Sequence, residues 1–265
     1  MIDVHSHILP GLDDGPQSLE EALQMCALAC ADGIEMIVAT PHMLNGIYEV
    51  RQEDIFVAVE QLNESCREKG LNVVILPGAD TYVDKDLPKL LEAGQLMTVG
   101  NRGRHLMLEL PEETVPSQLA DLLFELQLMG VTPVISHPER NFAIQQDIGL
   151  LHRLVEAGNL TQITAGALTG HFGRVVQQCC LEIVTAGLAH LMASDAHDAR
   201  RRKPQLSHGR GILEQFLGTE EAEQMTCIRG RLLIEGKYVP VPEAQPLTKK
   251  GFFSFLAKGR AAAGA

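Results

Sequence analysis

The chain has 265 residues and a mass of 28.9 kDa, which suffices for one large domain with a sizeable core. Hydrophobic residues make up 45% of it, a fraction that excludes a disordered chain. There are 22 basic and 34 acidic residues, so the net charge is −12, and tryptophan is absent. This balance excludes a general nucleic-acid binder, because phosphate contacts need clustered lysine and arginine, and base stacking needs aromatic side chains.

No segment of the sequence is typical of membrane insertion or export. Its apolar runs fall short of the roughly 18 residues needed to span a bilayer. Residues 1–7 lack the basic and apolar regions of a signal peptide. None of the six cysteines forms a C-x-x-C pair, which is typical of reduced, buried thiols. We therefore expect a cytoplasmic protein.

Short β-rich segments alternate with longer helical patterns along most of the chain, which predicts an α/β fold with a parallel sheet. Several strand segments are almost wholly apolar, as expected of strands covered on both faces. Seven such strands indicate a TIM-like barrel with one unit fewer than the eight-stranded design. The strands are predicted at 2–7, 35–40, 72–79, 105–110, 132–137, 160–165 and 189–194, and the helices near 18–32, 52–69, 116–129, 147–157, 170–187 and 209–235.

Residues 1–238 are predicted to form the barrel domain, and residues 239–265 a linker and a C-terminal tail. The linker is proline-rich over 239–246. In the tail, phenylalanines alternate with basic residues. Two interpretations of the tail stay open: a docking segment for a partner or an anionic membrane surface, and a frayed terminus. The tail residues concerned are Lys249, Lys250, Phe252, Phe253, Phe255, Leu256, Lys258 and Arg260.

Five of the ten histidines fall at the carboxyl ends of predicted strands, and five carboxylates fall at the same level. In barrels of this type that rim carries the active site. The remaining histidines are expected to be structural or surface residues, above all His105 and His190, which lie at strand starts on the opposite rim. The rim set consists of His5, His7, His42, His137, His197, Asp13, Asp14, Asp80, Glu109 and Asp195.

The rim set predicts a metal site, because burying so many unpaired ionisable groups would cost many kcal/mol. Its size requires two or three ions at four to six ligands each. Imidazole and carboxylate ligands without thiolate favour manganese, iron or zinc. Divalent ions would make the rim neutral to positive in an otherwise acidic protein, and would therefore attract an anionic group such as phosphate.

The motifs around these residues resemble those of the polymerase-and-histidinol-phosphatase (PHP) superfamily. The similarity is greatest to its bacterial manganese-dependent protein tyrosine phosphatases of capsule and exopolysaccharide operons, and it covers about residues 1–235. This family has a distorted seven-stranded barrel, which the resemblance implies here. The motifs are Met1-Ile2-Asp3-Val4-His5-Ser6-His7, Asp13-Asp14-Gly15-Pro16, Ala39-Thr40-Pro41-His42, Leu108-Glu109-Leu110, His137-Pro138-Glu139-Arg140 and Ala193-Ser194-Asp195-Ala196-His197.

The resemblance also implies how the rim residues divide among three metals. Asp80 stands where family members commonly have a glutamate that bridges the first two metals, and it is one methylene shorter. The implied ligands are His5, His7 and Asp195 for the first metal, Glu109 and His137 for the second, and Asp14, His42 and His197 for the third.

Two arginines resemble the phosphate-contacting arginines of the family. Arg140 follows the fifth strand, and Arg202 follows His197 by five residues. The neighbouring Arg200, Arg201 and Lys203 leave the second assignment open, and the basic run is also compatible with a solvated loop.

The resemblance implies hydrolysis of phosphotyrosine by metal-activated hydroxide, with manganese as the expected ion and iron or zinc as alternatives. The implied partner is the phosphorylated tail of a bacterial tyrosine kinase that controls polysaccharide synthesis. No cysteine has an arginine six positions later, so a cysteinyl-phosphate route has no candidate. Two other functions stay open: a small-molecule phosphatase such as histidinol-phosphate phosphatase, and a metal-containing binding module with weak turnover.

Overall fold

The structure is a computed structural model that describes residues 1–242 and residue 244. Its strands are all parallel and lie in two sheets, ordered β1-β2-β4 and β3-β5-β6-β7-β8-β9. The strands are β1 (Ile2–Ser6), β2 (Met36–Ala39), β3 (His42–Met43), β4 (Val74–Pro77), β5 (Asp80–Tyr82), β6 (His105–Glu109), β7 (Thr132–Ser136), β8 (Leu160–Thr164) and β9 (Leu191–Ala193).

The two sheets form one series of seven chain segments, because two of the predicted strands are each followed, after a break of two residues, by a second short strand outside the predicted bounds. One break lies between β2 and β3, and the other between β4 and β5. At the second break, a Cβ on Gly78 would lie 2.5 Å from Val38 Cγ1, so only glycine fits there. The N–H of Asp80 then donates to the Pro41 carbonyl at 3.1 Å, which keeps the broken segments paired.

The first and last segments of the series also meet. The N–H of Asp195 donates to the His5 carbonyl at 2.9 Å, and the N–H of His7 donates to the Ala196 carbonyl at 2.8 Å. Ser6 and Ala196 form a parallel bridge between these bonds. The predicted α/β fold of parallel strands is thus confirmed, and the arrangement is consistent with a distorted barrel.

The helices cover the outside of the strands. The helix predicted at 170–187 begins only at Arg174, because Gly170 and Gly173 take positive φ angles of 82° and 90° that end the preceding turn. Three helices have no counterpart in the prediction: α3 (Leu87–Glu92), α5 (Phe142–Gln146) and α7 (Ala165–Leu168). The helices are α1 (Leu19–Ala31), α2 (Gln52–Glu68), α3 (Leu87–Glu92), α4 (Leu119–Leu128), α5 (Phe142–Gln146), α6 (Gly149–Glu156), α7 (Ala165–Leu168), α8 (Arg174–Thr185), α9 (Ser207–Leu217), α10 (Thr219–Glu223) and α11 (Arg229–Ile234).

The interior of the strand series is apolar at one end and polar at the other. Val134 and Leu160 belong to a buried apolar cluster at the amino ends of the strands, together with residues of α11. Strand side chains alternate with period two, so the next inward position is two residues farther on. Those positions hold Ser136 and Gln162, both buried. The apolar cluster therefore forms the floor of a polar site at the carboxyl ends.

The opposite rim is structural, as the sequence predicts for its two histidines. His190 is fully buried and its Nδ1 accepts the N–H of Thr161 at 3.0 Å. Burial lowers the pKa of both His105 and His190 to about 4, so both are neutral at pH 7. Val239, in the predicted linker, is buried in the apolar cluster.

The predicted domain boundary at residue 238 stays a prediction, and the basic residues of the predicted tail lie outside the described residues. In the part of the chain that the structure describes, no helix combines the length and apolarity required to cross a membrane.

Candidate metal centre

All nine predicted ligands lie on one rim of the strand series and meet in one cluster. Three of them are placed differently from the prediction. His42 opens β3 and Asp80 opens β5, so each begins a short strand, and Asp195 lies two residues beyond the end of β9. Of the other six, Asp14 and His197 lie in the loops after β1 and β9, and four lie within or directly beside the strand ends predicted for them: His5, His7, Glu109 and His137.

The deepest part of the cluster is built around His5. Its Nε2 lies 3.5 Å from Asp80 Oδ2, 3.5 Å from Asp195 Oδ1 and 3.3 Å from His7 Nε2. His7 Nε2 is also 3.5 Å from Asp195 Oδ1. All four side chains are at most 1% exposed. Four buried ligand atoms thus surround one small space.

Asp80 connects this space to the ligands of the neighbouring strands. Its Oδ2 lies 3.5 Å from His137 Nε2, which is 3.9 Å from Glu109 Oε1. Glu109 Oε2 lies 3.2 Å from His42 Nδ1. Asp80 Oδ2 thus lies between the imidazoles of His5 and His137.

The outer part of the cluster lies around Asp14, whose side chain is 45% exposed. Its Oδ1 lies 3.6 Å from His42 Nε2 and 3.5 Å from His197 Nε2. Three groups of ligand atoms lie close enough together to share an ion. The groups are His7, Asp14, His42 and His197; His5, His7 and Asp80; and His42, Asp80 and Glu109.

The donor set fits divalent cations. Two ligands at about 2.1 Å from one ion lie about 3–3.5 Å apart, which matches the separations in this cluster. Asp80 Oδ1 accepts the Ser136 hydroxyl at 2.9 Å, whereas its buried Oδ2 has no hydrogen-bond partner. A buried carboxylate oxygen without a partner is costly, and a cation between the imidazoles would remove that cost.

The cluster cannot hold a proton on every imidazole. Burial, followed by repulsion from His197, lowers the pKa of His7 well below its ordinary value. Burial also lowers the pKa of His42, but the hydrogen bond and charge of Glu109 outweigh it and raise the value to about 9. Burial raises the pKa of Asp80, but the charges of His5 and His137 bring it below its usual range. Neutral imidazole and ionised carboxylate are the forms that bind metal.

Two of the ligands have backbone angles in the left-handed region. His137 has a φ of 32° and Asp195 a φ of 51°. Such angles are costly for residues other than glycine and concentrate at functional sites. Their occurrence at two predicted ligands supports a functional role for this rim.

Hydrogen bonds behind the ligands fix the direction of the imidazoles. Asp13 Oδ2 lies 2.6 Å from His7 Nδ1, and Gln162 Oε1 lies 2.8 Å from His5 Nδ1. Each contact turns the Nε2 atom of its histidine into the cluster. Gln162 is absent from the prediction, because it is one of three polar residues in β8 and no local pattern distinguishes it. Asp13 is predicted at the rim, and it lies behind the ligands rather than among them.

Replacing Asp13 with Asn is expected to lower the affinity for Mn²⁺ about tenfold. The reason is that His7 binds a metal less strongly when its Nδ1–H donates to an amide oxygen than when it donates to a carboxylate. Titration of metal-free protein with Mn²⁺ measures this effect. Asp121→Asn, on the exposed face of α4, removes the same charge and serves as control. Equal Mn²⁺ affinity of the two variants would contradict a role for Asp13 at the metal.

Both predicted arginines donate hydrogen bonds to the same oxygen atom of the cluster. Arg140 Nη1 donates to Asp195 Oδ2 at 2.7 Å, and Arg202 Nη2 donates to the same atom at 2.5 Å. Both guanidinium groups lie over the ring of Phe172, at 5.2 Å and 5.8 Å from its centroid. Phe172 is absent from the prediction, because it lies in a turn that the sequence pattern assigns to a helix.

A cavity of about 260 Å³ opens beside the cluster. Its lining includes polar Glu109, His137 and Arg140 and apolar Phe172 and Val176. Such a cavity fits a small aromatic group whose charged end faces the metal ligands.

This fold and site define a metal-dependent hydrolase of the parallel α/β class, with histidine and carboxylate ligands at the strand ends. Comparison with known proteins then gives the family. The sequence model of a family described as "Capsular polysaccharide synthesis, CpsB/CapC" matches residues 1–235. The chain therefore belongs to the CpsB/CapC family.

Individual relatives agree with this assignment. The tyrosine-protein phosphatase YwqE of Bacillus subtilis is 34% identical over 97% of this chain and 100% of its own length. The putative tyrosine-protein phosphatase CapC of Staphylococcus aureus is 36% identical over 76% of this chain and 79% of its own. CpsB of Streptococcus pneumoniae, also named a tyrosine-protein phosphatase, is 29% identical over 88% of this chain and 98% of its own.

Solved structures support the same fold. A crystal structure from a study of YwqE and CpsB, described as unique metal-dependent tyrosine phosphatases, superposes with a TM-score of 0.90 and 34% identity, covering 94% of this chain and 100% of that one. A β-aspartyl dipeptidase of Fervidobacterium islandicum has a TM-score of 0.50 and 13% identity, covering 95% of this chain and 80% of that one. The second likeness shows the fold alone.

Proposed function

We propose that this protein is a metal-dependent protein tyrosine phosphatase. The observation that carries the proposal is one cavity whose lining combines apolar Phe172 and Val176 with Arg140 and the predicted ligands Glu109 and His137. An aromatic phosphate monoester needs this combination: an apolar surface for the ring, and cations for the phosphate. The names of the relatives agree with it.

The nine ligands would hold two or three ions, for which we propose manganese. Bound divalent ions would stabilise negative charge on the phosphate and lower the pKa of water toward neutrality. The resemblance to the family implies which residues bind which metal. From it we propose His5, His7 and Asp195 as ligands of the first metal, and Asp80 as the bridge between the first two metals.

The chain's own residues bind and orient the substrate. Arg140 and Arg202 share Asp195 Oδ2 and have further N–H groups with which to hold phosphate oxygens. Phe172 stacks under both guanidinium groups and so limits their movement. Tyrosine, with a pKa of about 10, leaves more easily than an alkyl alcohol, so a strong general acid is not required.

We further propose that the substrate is a tyrosine-phosphorylated protein of polysaccharide synthesis, the tail of a bacterial tyrosine kinase, and that the protein acts in the cytoplasm. The family description supports the link to capsule synthesis. A flexible tail fits a rim whose outer ligand, Asp14, is nearly half exposed.

Metal removal tests the reaction class. Exhaustive chelation is expected to abolish hydrolysis of p-nitrophenyl phosphate, and added Mn²⁺ is expected to restore it, whereas alkylation of the cysteines leaves the rate unchanged. Activity that survives chelation would contradict a metal-dependent mechanism.

A substrate comparison tests the specificity. A phosphotyrosine peptide is expected to have a higher kcat/KM than a phosphoserine peptide or histidinol phosphate, because only phosphotyrosine carries an aromatic leaving group. A preference for histidinol phosphate would favour the small-molecule phosphatase. The absence of turnover with Mn²⁺, Fe²⁺ or Zn²⁺ would favour a binding module.

A further inference from the structure

A second cavity adjoins the metal centre and has a strongly basic lining. It has a volume of about 250 Å³ and lies between the loop after His197 and the turn before α8. Four cationic residues line it, and its lining contains no carboxylate. The four are Arg200, Arg201, Arg202 and Lys203. In a protein with a net charge of −12, this local excess of positive charge requires an explanation.

Three of these cations have no acidic partner. Among the described residues, no ion pair engages Arg200, Arg201 or Lys203, and all three are exposed. The nearby carboxylate of Asp198 is occupied with the backbone. It accepts the N–H groups of Arg200 at 2.6 Å and Arg201 at 2.5 Å. The guanidinium and ammonium groups are therefore free to bind an external anion.

The backbone of this loop is fixed. The N–H of Arg202 donates to Asp198 Oδ2 at 3.3 Å, and the N–H of His197 donates to the Arg202 carbonyl at 2.8 Å. These bonds tie the loop to a metal-ligand candidate at its base. A fixed backbone keeps the attachment points of these cations near one another, so binding an anion has to order only their side chains.

The basic cavity adjoins the candidate active site. Phe172 lines both the basic cavity and the aromatic cavity beside Glu109. Arg202 lines the basic cavity and also contacts Asp195 of the metal cluster. His171 and His208 add imidazole groups to the basic wall. A peptide whose phosphotyrosine enters the aromatic cavity would place a neighbouring residue at the basic one.

We propose that the basic cavity is a second anion subsite, which binds a carboxylate or a second phosphotyrosine on the same peptide as the scissile phosphotyrosine. The inference rests on the proposed function, and it names the substrate class more closely: phosphotyrosine segments with a second acidic group nearby. Arginine binds carboxylate and phosphate through paired N–H groups, which suits both kinds of anion.

A peptide series tests this inference. Phosphotyrosine peptides in one neutral background carry Glu, phosphotyrosine, Gln or Lys at each position on either side of the scissile residue. We expect Glu and phosphotyrosine at the favoured position to lower KM roughly fivefold relative to Gln, with Lys raising it. The preference is expected to shrink as salt concentration rises.

A charge-matched pair of variants tests whether the basic cavity is the source of the preference for acidic peptides. Arg200→Gln/Lys203→Gln is expected to remove the preference for acidic peptides over the neutral one. Arg67→Gln/Lys69→Gln removes two exposed charges from α2 and the residue after it, and is expected to keep the preference. The ratio of the two kcat/KM values within each variant is the readout, so any change in overall activity cancels.

The results of these experiments distinguish failure of the subsite from failure of the proposed phosphatase activity. Equal KM values for acidic, neutral and basic peptides would overturn the subsite while leaving the phosphatase proposal intact. A preference that persists in Arg200→Gln/Lys203→Gln would also overturn it, since another surface would then bind the acidic group. The absence of hydrolysis of any phosphotyrosine peptide and of p-nitrophenyl phosphate with Mn²⁺ would instead contradict the proposed function itself.

Discussion

Replacing Asp80 with Asn is expected to lower kcat for p-nitrophenyl phosphate about a thousandfold and to reduce the metal content of the purified protein. Asp80 Oδ2 lies 3.5 Å from the Nε2 atoms of both His5 and His137, so one oxygen serves two groups of ligands. The amide keeps the contact with Ser136 but loses the negative charge. Its NH₂ group has no lone pair to offer a cation.

Two further variants separate the charge of Asp80 from its shape. Asp80→Glu keeps the carboxylate and introduces the glutamate that the family resemblance implies at this position, so activity is expected to stay within about tenfold of the parent. Ser136→Ala removes only the hydroxyl that holds Oδ1, and a loss of about tenfold is expected. Elemental analysis and circular dichroism distinguish lost metal from lost fold. Full metal content and activity in Asp80→Asn would contradict a bridging role.

The series of strand segments and the position of the rim are predictable because both depend on local patterns. An apolar run that ends in a histidine or a carboxylate places that residue at the carboxyl end of a parallel strand, wherever the strand lies in the sheet. His137 directly after β7 and Glu109 at the end of β6 are examples. Since parallel strands all point the same way, such residues must gather at one rim.

The short strands that follow two of the predicted strands are not predictable from local pattern. Residues 36–39 and 73–76 are apolar runs, and Pro41 and Pro77-Gly78 after them are typical of strand ends, so nothing in the pattern shows that pairing resumes at His42 and Asp80. That pairing depends on the close approach of Gly78 to Val38, which is a tertiary contact. As a result, the sequence places Asp80 after a strand, whereas it opens β5 and faces the cluster.

The residues behind the ligands are also hard to predict, because their roles depend on contacts between distant segments. Gln162 is 157 residues from His5 in the chain. Phe172 contacts Arg140 and Arg202 only because Gly170 and Gly173 turn the chain before α8. Ligand types and strand ends are thus encoded locally, whereas the orientation of the ligands is encoded by the assembled fold.

Replacing Arg140 with Lys is expected to lower kcat/KM for a phosphotyrosine peptide about a hundredfold. Lysine keeps the positive charge but lacks the planar fork that lets Arg140 donate to Asp195 and to a phosphate oxygen at once. It also loses the stacking on Phe172. The inhibition constant of inorganic phosphate is expected to rise in parallel, because the lost contact is to phosphate rather than to the aromatic ring.

Phe172→Leu tests whether the ring acts through the two arginines. The single variant is expected to lose about tenfold in kcat/KM, since the guanidinium groups lose a stacking surface. In the background of Arg140→Lys, the same substitution is expected to lower kcat/KM by a smaller factor, because one of the two guanidinium groups that stack on Phe172 is already absent. Arg153→Lys, on the exposed face of α6, is the control for the arginine change. Additive losses in the double variant would contradict the coupling and assign Phe172 to the substrate ring alone. Full activity of Arg140→Lys would contradict a role for Arg140 in phosphate binding.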